Sequence, residues 1–495
     1  MTDRDSGGVG RHGGVPADRI SLSSLLAGLP PEWPQDLLPG IADATASRHE
    51  TIVVLDDDPT GTQTVRGARV LLRIDPTTLA TALAADDRLV FLLTNSRSLP
   101  ADVARRLARR IGRSIATAPK DGRRVVVISR SDSTLRGHFP VEVDALAEGL
   151  GQWFDATLIV PALIEAGRLT IDDVQYVVDG AEAIPVSRTA YARDPVFGYE
   201  SSDLRAWVQE KTDGRVLAAE VASISLDDLR HGGPMLVYQR LLALEHGSVC
   251  IVNAASDRDL EVFTAGLLMA EGEGRRFALR SAASFVRVRS GRPRPRLVTA
   301  FDLPVGGTSG GLIVVGSHVP RSTAQLAQLL ALTSVEGIEL DVRALGTRSR
   351  GTIVQRIAQR AEAGLRRGDD VAVYTSRTVV SDKSGARLAG GRTIANVLAD
   401  IVRAIRVRPA FVVTKGGITS SVVARRGLRA ASAWVMGQVL PGVPVWRLDQ
   451  ECPYPDLVVV VFPGNVGAED SLRDVVLALR SARASHPAAT SDAML

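Results

Sequence analysis

The chain has 495 residues, 45% of them hydrophobic, with 59 basic and 55 acidic side chains; this is enough for two to three domains and carries no charge bias that would recruit nucleic acid. Aromatics are only 4%, too few for the stacking platforms of single-stranded nucleic-acid binders, and no run approaches the ~18 apolar residues of a membrane span. Cys250 and Cys452 are the only cysteines, which excludes a disulfide framework or a thiolate metal site; with no apolar signal segment at the N-terminus, a cytoplasmic protein with two buried reduced thiols is expected.

Residues 1–20 are rich in Gly, Asp and Arg and are expected to be disordered. Residues 21–48, with Leu25, Leu29, Trp33 and Leu37 around Pro30 and Pro31, read as one or two short helices. From Thr51 strand-like runs alternate with helical patterns. The strands are Ile52–Leu55, Leu89–Leu93, Val125–Ile128 and Thr157–Val160, and a helix covers Pro100–Thr117. This alternation predicts a largely parallel α/β sheet. Another strand is expected at Val249–Val252 and a helix near Asp259–Leu268. The arginine-rich stretch 275–296 reads as a linker with a solvated basic face, with an anion-attracting flank as the alternative.

A second α/β rhythm begins at Gly311. Strands are expected at Leu312–Val315, Val371–Tyr374, Ala410–Thr414 and Leu457–Phe462. Helices are expected at Ser322–Leu332, with Ser322 and Thr323 as cap candidates, and at Gly391–Ile405. The division that follows is an extension over 1–48, domains at 49–290 and 311–485, a linker at 291–310 and a loose tail at 486–495.

The strand Val53-Val54-Leu55 runs straight into Asp56-Asp57-Asp58-Pro59-Thr60-Gly61. Ligands of open α/β sheets bind outside the carboxyl ends of the strands, and three adjacent acids repel one another, so this loop is read as catalytic. Asp57 and Asp58 can accept a hydroxyl proton or hold a metal ion. Neighbouring strand ends add Asn95, Ser96 and Arg97, then Asp132, Ser133 and Arg136. The arginines suit a carboxylate and the shorter side chains suit sugar hydroxyls. Arg136 could instead pair with a neighbour such as Glu142. His138 reads as a hydrogen-bonded loop residue, since the chain has no histidine cluster for a metal.

In the second half, three strand ends carry glycines: Gly316-Ser317, Gly416-Gly417-Ile418-Thr419 and Gly464-Asn465-Val466-Gly467. Glycine lets backbone approach phosphate oxygens, and three such ends in one domain suggest a nucleotide cradle, although no Walker A sequence is present. Lys415 is either a phosphate contact or a strand-end charge.

Asp57-Asp58-Pro59-Thr60-Gly61, Asp132-Ser133-Thr134-Leu135-Arg136-Gly137 and the three glycine pieces, the last continuing through Ala468-Glu469-Asp470, occur in the order of the four-carbon acid sugar kinases, and the chain resembles that family over about residues 50–480. The resemblance implies an N-terminal sugar-acid-binding domain, a C-terminal ATP-binding domain and a cleft between them. It implies ATP contacts at Ser317, Gly416, Gly417, Ile418, Thr419 and Gly464, and a substrate side made of Asp57, Asp58, Arg97, Asp132 and Arg136. ATP with Mg²⁺ would be the cofactor pair. The partner would be a small sugar acid, with no nucleic acid or membrane, and the enzyme could act alone or as a homodimer. The chain departs from the family's usual residues at Arg130, His138 and Phe462-Pro463, which bears on the identity of the sugar acid.

Two other readings stay open. Asp56-x-Asp58-x-Thr60, with Thr94 after the next strand, fits the nucleophile motif of haloacid-dehalogenase-type phosphatases, with Asp56 attacking phosphate. A non-catalytic sugar-acid sensor on the same two lobes is the other.

Overall fold

Runs of Val, Ile and Leu bounded by Gly, Pro and Asp build the strands, as their β-branched side chains dictate. The computed structural model describes residues 19–485, apart from 86, 121, 347–348 and 378–386. Of the disorder expected over residues 1–20, residues 1–18 lie outside the described residues, as does the loose tail at 486–495, but Ile20 is ordered, in a strand paired with Ala183. Eight strands of the first half run parallel in the order Ala222–Ile224, Ser248–Val252, Ala156–Val160, Phe277–Ser281, Arg124–Arg130, Glu50–Asp56, Leu89–Leu93 and Arg69–Leu71. Five strands of the second half run parallel among themselves: Val458–Phe462, Phe411–Lys415, Leu312–Val315, Asp370–Thr375 and Val335–Leu340.

The hairpin Ser432–Leu440 and Val443–Leu448 lies between the two sets and pairs antiparallel with each. It joins the halves into one fifteen-stranded sheet. The sequence reading did not name this bridge. Trp446, fully buried in it, donates from Nε1 to Thr62 Oγ1 at 3.1 Å and so ties the turn after the acidic loop to the bridge.

Alternate residues of the central strand feed opposite cores: Ile52 and Val54 pack on one face, Val53 and Leu55 on the other. Both faces are covered by helices, among them Ala101–Thr117, Val141–Leu150, Asp257–Gly272, Arg350–Arg366 and Ser471–Ser485. This is why the parallel strands read as continuous apolar runs. A separate four-stranded antiparallel sheet, ordered Ile20–Ser21, Glu182–Pro185, Val174–Asp179 and Arg168–Ile171, hangs on the first half. Residues 21–48 form the helices Leu22–Ala27 and Leu38–Ser47. Among the described residues no helix is long and apolar enough to cross a membrane.

Two expectations are corrected. The basic stretch 275–296 is not a solvated linker. It forms the strand Phe277–Ser281 and the helix Ala283–Arg289, and Arg280, Arg287 and Arg289 are all buried. Arg289 bridges Glu50 at 2.8 Å and Glu271 at 2.9 Å, which makes a buried cation tolerable. The helix expected from Ser322 begins at Pro320, whose missing N–H suits the first turn, and Ser322 faces inward instead of capping.

Candidate active site

The acidic loop leaves strand Glu50–Asp56 in the middle of the first half, and its three carboxylates have three different environments. Asp56 is buried, with Oδ1 2.9 Å from Arg130 Nη1 and Oδ2 without a hydrogen-bond partner. Gly61 folds over this carboxylate so closely that no Cβ could fit there. Burial pushes the Asp56 carboxyl up to about 7, against the pull of Arg130. Asp57 is clamped. Arg97 meets it through Nε at 3.1 Å and Nη2 at 2.7 Å, and Arg130 Nη1 adds a contact at 3.3 Å. Asp58 is the partly exposed one. Burial would raise its carboxyl, but Arg97 and the hydrogen bonds from Thr60 outweigh burial and hold it below the usual carboxylate range. Thr60 donates to Oδ1 from its hydroxyl at 2.6 Å and its backbone at 3.0 Å, leaving Oδ2 toward the second half.

The next strand ends close in as anticipated, though not always with the anticipated partners. Asn95 adopts a left-handed backbone (φ 50°) and donates to Ser98 Oγ at 3.0 Å. Ser96 is buried, and its carbonyl accepts from His138 Nε2 at 3.1 Å, so His138 is the hydrogen-bonded loop residue its sequence context indicates. Asp132 pairs with Arg136 at 2.6 Å, takes the Thr134 hydroxyl and lies 3.6 Å from Arg97. Burial opposes ionisation of Asp132, but Arg136 and Arg97 win and hold its carboxyl far below the ordinary range. Ser133 is buried on the same loop. Arg136 pairs with Asp132 and Asp194 rather than with Glu142, and its guanidinium lies over the Tyr191 ring. Glu142 instead sits by Ser96, its carboxyl raised by burial.

The glycine-bearing strand ends of the second half converge. Gly316 leaves room only for the Thr419 hydroxyl. Gly416 takes φ 113°, open to glycine and strained for other residues, and a Cβ there would stand 3.2 Å from Ser317 Cβ. A Cβ on Gly464 would stand 2.8 Å from Ser317 Oγ. Ser322 Oγ bonds to Ser317 Oγ at 2.9 Å and donates to the Gly464 carbonyl at 3.0 Å, so it staples two of the three loops. Gly417 opens the short helix Gly417–Val422, and Ile418 is partly buried against the core. Lys415 is fully buried, donates to the Pro463 carbonyl at 2.6 Å and lies over the Phe462 ring; burial lowers it to about 7. That bond ties the end of its strand to the loop that carries Gly464. Sequence reasoning took Ser322 only as a helix cap and gave no role to Arg377, which donates to the Ser317 carbonyl at 2.7 Å. No local pattern signals either contact.

The two rims face each other. A Cβ on Gly417 would lie 3.0 Å from Asp58 Oδ2. A cavity of about 570 Å³ opens on one side of this contact, between Thr94, Asn95 and Ser98 and Asn396, Ser421 and Arg425. A second of about 800 Å³ runs from Tyr191 and Arg168 of the first half to Arg321 and Asn465 of the second. Asp56, covered by Gly61 and Arg130, cannot reach a phosphate in either cavity, which argues against the phosphatase reading.

Fold and site together define a two-lobed α/β protein in which an acidic strand-end loop opposes a glycine-lined one. Residues 52–289 match the model of a sugar-binding N-terminal domain and residues 312–472 that of a nucleotide-binding C-terminal domain. The chain belongs to the four-carbon acid sugar kinase family. It is 28% identical to a 3-oxo-tetronate kinase of Methylobacterium radiotolerans over 436 residues, 84% of this chain and 96% of that protein. It is 26% identical to a D-erythronate kinase of Heliobacterium modesticaldum over 265 residues, and this match spans about half of each protein, 52% and 53%. Two solved structures share the fold. They are the Haemophilus influenzae protein HI1011 (TM-score 0.59, 19% identity, 86% of this chain and 99% of that one) and a Salmonella typhimurium LT2 protein (TM-score 0.63, 18% identity, 86% and 98%).

Proposed function

We propose that this chain is a sugar-acid kinase that transfers the terminal phosphoryl group of ATP to a hydroxyl of a small, four-carbon-type sugar acid. The observation that carries the reading is the approach of Gly417 to Asp58, which sets the glycine-lined cradle directly against the acidic loop. Ser317, Gly416, Thr419 and Gly464 would hold the phosphates by bare backbone and the Ser317 and Thr419 hydroxyls. Asp58 would take the proton of the attacking hydroxyl, because Asp57 is occupied by two arginines and Asp56 is covered. Its lowered pKa keeps it ionised at neutral pH, so its oxygen is free of a proton when the hydroxyl arrives. Asp57 would keep Arg97 in place beside the reacting oxygen.

Mg²⁺ keeps most of its waters and needs only one or two carboxylates beside the phosphates, so a contact to the Asp58 carboxylate through one of those waters would meet that demand and leave Oδ2 to accept the proton. Bound there with ATP, it would neutralise charge on the transferring group. Asn95, Ser96, Asp132 and Ser133 would meet the sugar hydroxyls. Purified protein incubated with ATP–Mg²⁺ and a panel of four- and five-carbon aldonates tests the reading. ADP should appear only when one of the acids is present, and acid-independent hydrolysis or no turnover with any acid would refute it.

A further inference from the structure

The arginines expected to grip the substrate's carboxylate are already engaged. Arg97 forks onto Asp57, Arg130 bridges Asp56 and Asp57, and Arg136 closes on Asp132. An incoming carboxylate would compete with a buried aspartate for Arg97 or Arg130, and Arg136 is tied to Asp132 through Nε and held over Tyr191. A fourth guanidinium stands on the same rim. Arg280, near the end of strand Phe277–Ser281, is 2% exposed, and among the described residues it makes no ion pair or hydrogen bond. Its Nη2 is buried without a partner. It lies over the rings of Trp207 at 4.9 Å and Phe139 at 5.3 Å, which fix its plane. The charged groups that face it are Asp57, Asp132, Glu142 and Arg97; burial lowers it to about 10, so it stays a cation at neutral pH.

The hydroxyl of Ser131, on the adjoining strand end, is also buried and unpartnered, and the Ser131 N–H bonds to the Ser281 carbonyl at 2.8 Å. Unsatisfied buried donors are costly, and more so when charged. Two on neighbouring strand ends mark a place where a ligand supplies the acceptor.

Building on the sugar-acid kinase reading, we propose that Arg280, with Ser131 beside it, is the receptor for the substrate's carboxylate, and that Arg97 and Arg136 instead hold the aspartates in position. Strands Phe277–Ser281 and Glu50–Asp56 are separated by one strand, so Arg280 and the acidic loop share one rim. A substrate whose carboxylate rests on Arg280 would turn its far hydroxyl toward Asp58, and Arg280 would thereby select acids over their neutral analogues.

The test is calorimetric binding of four-carbon aldonates and their carboxamides to the full chain, with Arg280→Gln and Arg280→Lys. Arg280→Gln should weaken binding of the acid at least tenfold while leaving the carboxamide and ATP within about twofold. Arg280→Lys, which keeps the charge but loses the fork, should recover part of the loss and carries the test if the glutamine variant does not fold. If Arg280→Gln prefers acid to amide as strongly as the wild type, the proposal is wrong. Equal loss of acid, amide and ATP would show a purely structural role and also overturn it. If the wild-type chain binds no aldonate at all, the kinase reading itself falls, a result distinguishable from both.

Discussion

Gly417 and Asp58 belong to opposite halves of the chain, yet a single methyl group on Gly417 would stand 3.0 Å from Asp58 Oδ2. Contacts that tight force the neighbour to shift by tenths of an ångström, and a misplaced reacting group costs rate steeply. Gly417→Ala should therefore lower kcat by about tenfold or more. Gly417 is partly exposed at a helix start, so thermal unfolding of the variant should stay close to wild type. A kcat unchanged by the methyl group would mean that the two rims do not work together.

Asp57 and Asp58 should separate in a mutational comparison. Asp58→Asn removes the proposed proton acceptor from a partly exposed position, so turnover should drop by about 10²–10⁴ with the fold retained. Asp57→Asn removes the partner of two arginines, Arg97 and Arg130. Breaking a buried pair costs about 3–5 kcal/mol, so this variant should lose stability as well as activity. Denaturant unfolding beside steady-state kinetics distinguishes the two.

Asp56 makes a pH prediction with a definite sign. Its folded value of about 7 lies above the unfolded value of 3.8, so the folded state holds the extra proton between the two. The stability this contributes is complete below the unfolded value and is lost as pH rises through about 7. Asp56→Asn should flatten the decline in melting temperature between pH 4 and 7 that this group causes. A decline of the same steepness in the variant would assign it to another group.

The nucleotide side can be tested apart from the acid side. A Cβ on Gly464 would crowd Ser317 Oγ at 2.8 Å. Gly464→Ala should raise the KM for ATP several-fold and leave the KM for the sugar acid unchanged. A rise in both would place Gly464 outside the phosphate cradle.

Much of this was legible in the sequence because the parallel strands are buried on both faces. Leu89–Leu93 and Leu312–Val315 are continuous apolar runs, and both form strands with those bounds. The acids of Asp56–Asp58 announced a site through their position at a strand end. Their division of labour was not legible, because it depends on Gly61 closing over Asp56 and on Arg97 and Arg130 converging on Asp57 from other strands. Arg280 was hidden for a different reason. It lies in a stretch of many arginines, where charge alone signals exposure, and only the fold separates the buried ones from those at the surface. The bridging hairpin was missed because its partners, Arg69–Leu71 and Val458–Phe462, are hundreds of residues apart.

The most direct test of the central claim follows the phosphorus. In a ³¹P NMR time course with ATP–Mg²⁺ and the sugar acid that yields ADP, wild-type protein should convert the γ-phosphate resonance into a phosphomonoester coupled to the acid's carbon-bound protons, and Asp58→Asn should not. Release of the phosphorus as inorganic phosphate, or an undiminished phosphomonoester signal from Asp58→Asn, would contradict the account.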